Sequence, residues 1–93
     1  MKVIQQFGFK FKSPIGAVLD CRVLPNPFKH GVPDEVLIER VRGLEGFNEL
    51  VQKGVQLLAK HDEIYVGCAF GRHRSGAVAQ EIARQTGAEI RKY

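Results

Sequence analysis

A strand, a loop, a helix and a second strand follow one another between residues 63 and 93, and this succession constrains the fold most. Glu63 to Ala69 is an apolar run of strand length. Ser75 to Thr86 carries apolar residues on one helical face, and Gly87 is a typical helix terminator. Ala88 to Tyr93 then has the length of a final short strand. Because a strand that reaches the next strand through a helix makes a right-handed crossover, this unit predicts parallel pairing and an α/β fold.

Two further strands are predicted near the amino terminus. Val3 to Lys12 alternates phenylalanine with glycine or lysine over its second half, which is the period of a strand with one buried face. Ala17 to Cys21 is a short apolar run, and we expect a central strand that ends near Asp20. Three prolines and a glycine follow between Arg22 and Pro33, and they predict an ordered loop without regular structure.

Two helices are predicted between the second and third strands. Asp34 is a good N-cap for a short helix from Glu35 to about Arg42. Apolar residues at helical spacing from Glu45 to Lys60 predict an amphipathic helix. The whole pattern predicts a small α/β sandwich, with a mostly parallel sheet of about four strands and two to three helices.

The length and composition of the chain limit its partners and its location. Ninety-three residues predict one domain, 1–93, that folds alone or as a homo-oligomer. No apolar run approaches the roughly 20 residues that cross a bilayer, and the start does not read as a signal peptide, so we expect a cytoplasmic protein with no membrane partner. In a reducing compartment Cys21 and Cys68 are expected to be free thiols, and three scattered histidines predict neither a metal site nor a cofactor. The net charge of +4 is compatible with an anionic partner and equally with a solvated surface.

The stretch GCAFGRHRSG, residues 67–76, joins the third strand to the last helix and has the chemistry of a phosphate-binding loop. Gly67 and Gly71 allow a tight turn that brings backbone N–H groups close to an anion. The first N–H groups of the following helix lack partners, and the helix dipole favours a negative charge there. Residues 72–74 are Arg, His and Arg, and these neighbours repel one another unless an anion relieves them.

Two other interpretations of this stretch stay open. One is a phosphatase, because Cys68 and Arg74 have the Cys-x5-Arg spacing in which a thiolate attacks a phosphate that the loop holds. That chemistry also needs a general acid, and the candidates are Asp20, Asp34 and Asp62. The other is a plain strand-to-helix turn in which Ser75 caps the helix and the glycines serve only the geometry.

Three motifs, in order and over almost the whole chain, resemble the carboxy-terminal domain of the RNase adapter protein RapZ family. They are FGFK at residues 7–10, DCRVLPNP at residues 20–27 and GCAFGRHRS at residues 67–75. Members of this family are similar in carrying an amino-terminal nucleotide-binding domain, followed by a domain that binds small RNA and a phosphorylated amino sugar. The chain contains no Walker loop, so the resemblance is to the second domain alone.

The resemblance implies noncatalytic binding of a phosphorylated small molecule, with RNA as a further partner. It implies a single anion pocket in which Asp20, Arg22 and Asn26 face the glycine-containing loop. The loop residues that it assigns to the pocket are Gly71, His73, Arg74 and Ser75. The chemistry of the loop adds Gly67, Cys68 and Arg72 as candidate ligand-binding residues. The chain has Ala69-Phe70 where the family often has Thr-Gly, and Phe28 where His or Tyr is usual. We therefore expect a reshaped pocket that keeps phosphate recognition.

Overall fold

Four parallel strands form one sheet in a computed structural model that describes all residues from 1 to 93. The strands are β1 (Val3–Gly8), β2 (Val18–Asp20), β3 (Glu63–Cys68) and β4 (Glu89–Lys92). They lie in the order β2-β3-β1-β4, and each neighbouring pair is parallel. The α/β class and the parallel sheet predicted from the sequence are therefore confirmed.

Three helices complete the architecture: α1 (Asp34–Arg42), α2 (Phe47–Lys60) and α3 (Arg74–Thr86). The connection from β2 to β3 and the connection from β3 to β4 run in the same direction across the sheet. Because such crossovers are right-handed, their helices lie on the same face of the sheet. The fold is therefore a two-layer sandwich, and the carboxyl ends of β1, β2 and β3 meet along one edge.

The core lies between the sheet and the helices. Ile4 pairs in register with Ile64, and Leu19 pairs with Val66, so these buried side chains form one apolar surface. Alternate residues of a strand point to the same face, which explains why every second residue joins this core. The helices contribute buried residues at helical spacing, namely Leu37 and Val41 from α1, Leu50, Val51 and Leu58 from α2, and Val78 and Ile82 from α3.

The face of the sheet that the helices leave open carries an aromatic cluster. The ring centroid of Phe7 lies 4.7 Å from that of Phe9 and 6.3 Å from that of Tyr93, with the rings edge to face. Tyr65 meets Tyr93 at 5.5 Å in the same geometry. The cluster buries Phe7 without a second layer of helices.

The first strand is shorter than the prediction of Val3 to Lys12. It ends at Gly8, where the N–H groups of Phe11 and Lys12 both donate to the Gly8 carbonyl and form a turn. Beyond Gly8, only Phe9 and Lys10 still pair with the neighbouring segment at the end of β3, and their N–H groups donate to the carbonyls of residues 68 and 69. Because β3 itself turns away after residue 68, no partner strand remains to extend the ladder. Phe11 is consequently exposed.

The predicted cap of α1 was wrong. Asp34 is the first residue of the helix, the capping position belongs to Pro33, and no side chain caps α1. The Asp34 carboxylate accepts a hydrogen bond from elsewhere, from His73. A tertiary partner has replaced the local contact that the sequence suggested.

None of the helices is both long enough and apolar enough to cross a membrane.

The turn after β3 depends on a glycine that approaches another strand. Gly71 has φ +76°, and a Cβ atom on it would lie 2.7 Å from the backbone nitrogen of Gly8. Gly87 has the same φ of +76°, but a Cβ atom there would meet nothing within 4 Å. A substitution at Gly87 therefore adds backbone strain alone, whereas one at Gly71 adds both backbone strain and crowding against β1.

We expect Gly71→Ala to lower the free energy of unfolding more than Gly87→Ala does. Both substitutions impose left-handed strain of about 1 to 2 kcal/mol. Gly71→Ala adds overpacking against β1, which typically costs about 1 to 3 kcal/mol. Urea unfolding of the two variants and the wild type measures the difference, and equal losses would contradict the close approach of the loop to β1.

Candidate functional site

The loop between β3 and α3, residues 69–73, packs against the neighbouring strand β1. The Gln6 side chain donates through Nε2 to the Gly71 carbonyl at 2.7 Å. A Cβ atom on Gly67 would lie 2.3 Å from the Phe7 ring, so this glycine serves the packing of the open face of the sheet. Gly71 provides the turn itself, at the close contact with Gly8. Contacts with β1 therefore hold this loop at Gly71.

The thiol of Cys68 lies at the centre of the turn. Its Sγ is 3.3 Å from the Ser75 Oγ, and the Ser75 N–H donates to it at 3.4 Å. Burial raises the pKa of this thiol, because only 3% of Cys68 is exposed, but hydrogen bonds from the Ser75 hydroxyl and from the N–H groups of Ser75, Gly71 and Arg72 outweigh burial. The net effect is a lowered pKa. The centre of the turn therefore favours negative charge.

The second cysteine has the opposite environment. Cys21 is fully buried, and burial raises its pKa far above the ordinary value. Its neighbours Cys68 and Asp20 raise the pKa further. Both thiols are free, as predicted, and only Cys68 combines a lowered pKa with access to a cavity.

Arg74 ties the start of α3 to the segment that follows β2. Its guanidinium is buried, with 9% of the residue exposed, and its Nη1 donates to the Leu24 carbonyl at 3.0 Å. Leu24 directly follows a single 3₁₀ turn, Cys21–Val23, at the end of β2. One N–H donor of the guanidinium therefore holds this segment beside the loop, and Arg74 also lines a cavity.

His73 is held by a hydrogen bond and a stacked ring. Its Nε2 lies 2.8 Å from the Asp34 Oδ1 at the start of α1. The Phe28 ring stacks on the imidazole, with centroids 6.4 Å apart and planes 30° apart. The hydrogen bond with His73 lowers the pKa of Asp34, a little burial opposes this, and the charges of His73 and Arg72 add to the lowering. Asp34 is therefore ionised near neutral pH.

Asp20 and Arg22 satisfy each other at the end of β2. Asp20 Oδ1 accepts from the Arg22 backbone N–H at 2.9 Å and from Nε at 3.0 Å, while Oδ2 accepts from Nη2 at 2.7 Å. The guanidinium also lies over the Phe9 ring, with Cζ 3.6 Å from the centroid. The bond to Arg22 lowers the pKa of Asp20, burial opposes it, and Arg74 adds to the lowering. This pair is complete without a ligand.

A cavity of about 390 Å³ opens between the loop and the segment after β2. Five of the residues that the sequence assigned to a pocket line it, namely Asn26, Cys68, Arg72, His73 and Arg74. The other five do not, namely Asp20, Arg22, Gly67, Gly71 and Ser75. Asp20 and Arg22 are occupied by each other, while the glycines and the serine shape the turn behind the cavity wall.

Three phenylalanines that the sequence did not assign to a site complete the lining. They are Phe11, Phe28 and Phe70. The alternation in the first segment suggested a buried Phe11, whereas the other two were visible only as departures from a family pattern. No carboxylate lines this cavity. No group of three His, Cys, Asp or Glu side chains lies in an arrangement that could hold a metal ion.

Comparison with known proteins identifies the family of this chain. The family model described as the RapZ C-terminal domain matches residues 2–92. The chain belongs to the RapZ C-terminal domain family. Among similar proteins, one from Paenarthrobacter aurescens is 37% identical over 88% of this chain and 33% of its own length. Another from Saccharopolyspora erythraea is 36% identical over 88% of this chain and 35% of its own length. Each is named "Nucleotide-binding protein", and the chain spans about a third of the length of these relatives.

In this RapZ C-terminal domain the helix after the loop has no cap from the side chain of its own capping residue. The helix α3 begins at Arg74, its capping position is His73, and the His73 side chain makes no capping hydrogen bond, whereas the N–H of Ser75 donates to the Cys68 sulfur. Ser75 is the second helical residue, and its hydroxyl is buried against Cys68. The interpretation of the stretch as a plain turn capped by Ser75 therefore does not describe this structure.

We expect Ser75→Ala to raise the pKa of Cys68. Burial of the thiol stays, whereas one of the hydrogen bonds that favour the thiolate is lost. The titration of thiolate absorbance in a Cys21→Ala background, which leaves one thiol, measures this pKa. Ser13→Ala removes an exposed hydroxyl and serves as the control. An unchanged Cys68 titration in the Ser75 variant would show that the hydroxyl does not stabilise the thiolate.

Proposed function

We propose that this domain binds the phosphate group of a phosphorylated ligand in the 390 Å³ cavity and does no chemistry on it. The observation that carries the proposal is the side-by-side presence of Arg72, His73 and Arg74 on the wall of that cavity, at the start of α3. Three adjacent basic side chains at one concave site favour an anion. A phosphate offers several oxygens to such donors at once.

The backbone of the loop supports the same assignment. The N–H groups that converge on Cys68 lower its pKa, so this position favours negative charge even without a ligand. The His73 side chain at the capping position of α3 makes no capping hydrogen bond, and the helix dipole is positive at this end. Of the first N–H groups, that of Ser75 donates to the Cys68 sulfur. A bound phosphate would add acceptors for other N–H groups at this helix end.

The family relationship is consistent with a phosphorylated ligand. The similar proteins are named for nucleotide binding, and a nucleotide carries phosphate. The resemblance described above implies a phosphorylated amino sugar and RNA as the sources of the phosphate. Recognition of the phosphate group is common to all of these, and residues 72–74 account for it.

A second cavity favours RNA as a further partner. It measures about 350 Å³ and adjoins the first, sharing Phe11, Phe70 and Arg72 with it. Lys12 and Lys92 line it as well. A chain of phosphates could therefore meet cations in both cavities, and such contacts release counterions and depend strongly on salt. The net charge of +4 acts in the same direction.

A phosphatase is the second candidate, and one observation favours it. Cys68 has a lowered pKa, lines the cavity and precedes Arg74 by the spacing of cysteine-dependent phosphatases. The missing part is the general acid. Asp20 and Asp34 both have lowered pKa values and are ionised near neutral pH, so neither holds a proton for a leaving group. Asp62 lies beside the start of β3, at the opposite edge of the sheet from the loop. We therefore favour binding without hydrolysis.

We expect Arg72→Gln to weaken the binding of inorganic phosphate about tenfold or more, because a charge-assisted hydrogen bond is worth roughly 1.5 to 3 kcal/mol. His73→Ala should weaken it in the same direction. Titration calorimetry measures both, with Arg40→Gln, an exposed arginine on α1, as the charge-matched control. Arg74→Ala should also weaken binding, but it leaves the Leu24 carbonyl without its donor, so its folding must be checked by circular dichroism. Equal phosphate affinity in the Arg72 variant and its control would show that phosphate does not bind in this cavity.

We expect no turnover of an aryl phosphate by the wild type or by Cys68→Ser, with phosphate affinity retained in both. The loop amides and basic side chains bind the anion, whereas the sulfur is needed only by a nucleophile. Release of the phenolate measured by absorbance, together with calorimetry on the same samples, tests this. Turnover by the wild type that Cys68→Ser abolishes would establish the phosphatase in place of the binding domain.

A further inference from the structure

Half of the phenylalanines of this chain are exposed around one opening. The chain has six phenylalanines, and three of them line the 390 Å³ cavity, namely Phe11, Phe28 and Phe70. They are 73%, 60% and 54% exposed, respectively. Single exposed apolar residues are ordinary on a protein surface, but a concentration of aromatic rings at a concave site is typical of a binding site. The cavity therefore suits a ligand with a flat apolar face.

The rings lie beside the basic side chains and not apart from them. Phe28 stacks on the imidazole of His73, with centroids 6.4 Å apart. Phe11 and Phe70 form a second pair, with centroids 6.4 Å apart and planes tilted by 59°. The ammonium of Lys10 lies 4.7 Å from the centroid of Phe70. One small cavity thus combines an anion site with aromatic walls, and a ligand must match both.

The remaining uncharged polar side chain in the lining is Asn26. Its Oδ1 accepts from the Phe28 backbone N–H at 3.1 Å, which fixes the orientation of the amide. Asn26 lines the cavity, and its Nδ2 amino group is the donor that remains for a ligand there. A planar ring that carries hydrogen-bond acceptors, as the nucleobases do, suits such a donor.

We propose that the ligand is a nucleoside 5′-phosphate, with its phosphate at residues 72–74 and its base against the exposed phenylalanine rings. This inference rests on the proposed phosphate-binding function and names the group attached to the phosphate. A simple sugar phosphate offers less flat apolar surface to the Phe28 and Phe70 rings than a base does. A base stacks on aromatic rings whatever its identity, because every base has a π-face. The volume of about 390 Å³ is within the usual range for small-molecule sites.

The test compares four probes by titration calorimetry on the whole chain: inorganic phosphate, ribose 5-phosphate, phenyl phosphate and adenosine 5′-monophosphate. Stacking of a base on aromatic side chains corresponds to a gain of roughly 5- to 150-fold in affinity. We expect adenosine monophosphate to bind tighter than ribose 5-phosphate by a factor in that range. We also expect it to bind tighter than phenyl phosphate, which has a ring but no acceptors for Asn26.

Phe28→Leu and Phe70→Leu identify the surface that the base contacts. Leucine keeps an apolar side chain but removes the ring, so each variant should lose most of the preference for adenosine monophosphate over ribose 5-phosphate. The ratio of the two affinities within each variant is the measured quantity, because it corrects for any change in phosphate binding through His73, on which Phe28 stacks. Ile15→Ala, at an almost fully exposed side chain that does not line the cavity, is the control for loss of a surface apolar group. Unchanged preference in both phenylalanine variants would overturn the placement of the base.

The outcomes separate this inference from the function on which it rests. Equal affinity for ribose 5-phosphate and adenosine monophosphate would overturn the nucleoside and leave phosphate binding intact, and phenyl phosphate as tight as adenosine monophosphate would overturn the nucleoside in favour of any aryl phosphate. Absence of binding by all four probes would overturn both proposals. A short 5′-phosphorylated oligoadenylate distinguishes the source of the nucleotide. Affinity above that of the mononucleotide points to an RNA end, and equal or lower affinity points to a free nucleotide.

Discussion

The backbone contact between the end of β1 and the loop after β3 is the constraint on which the site depends. Gly8 and Gly71 approach so closely that a Cβ atom on either would lie less than 3 Å from the backbone of the other segment. The Gln6 side chain holds the loop in this position through the Gly71 carbonyl. The loop is therefore shaped before α3 begins. Its shape directs N–H groups toward Cys68 and places the basic side chains of residues 72–74 on one cavity wall.

The charged groups around this loop have different partners and roles, although the sequence alone predicts that they share one pocket. Asp20 neutralises Arg22, and Asp34 holds His73 in place. Arg74 anchors the neighbouring segment through the Leu24 carbonyl. Arg72 lines both cavities and is the cation best placed to respond to a ligand. Because the two carboxylates are bonded to Arg22 and His73, the cavity keeps basic side chains in its lining and has no carboxylate there.

The aromatic side chains divide between two surfaces for a reason that depends on the sheet. Phe7, Phe9 and Tyr65 pack on the open face of the sheet, where the strands provide a continuous support. Phe11 lies beyond the point at which β3 turns away, so it loses that support and faces the cavity with Phe70. The end of a strand ladder thus converts a residue of the predicted buried face into part of a binding surface.

The sequence by itself determined the parallel α/β fold, the helices and the position of the basic loop, because hydrophobic periodicity, glycines and the strand–loop–helix order are local properties of the chain. The tertiary structure alone decided where β1 stops, since a strand needs a partner along its whole length. It also decided that Asp34 pairs with His73 instead of capping its own helix, and that Asp20 and Arg22 occupy each other outside the cavity. Exposure of Phe11, Phe28 and Phe70 is likewise a property of packing between distant segments. Patterns along the chain indicate which local structure and which local contacts a segment favours, whereas the contacts between segments determine which of these form.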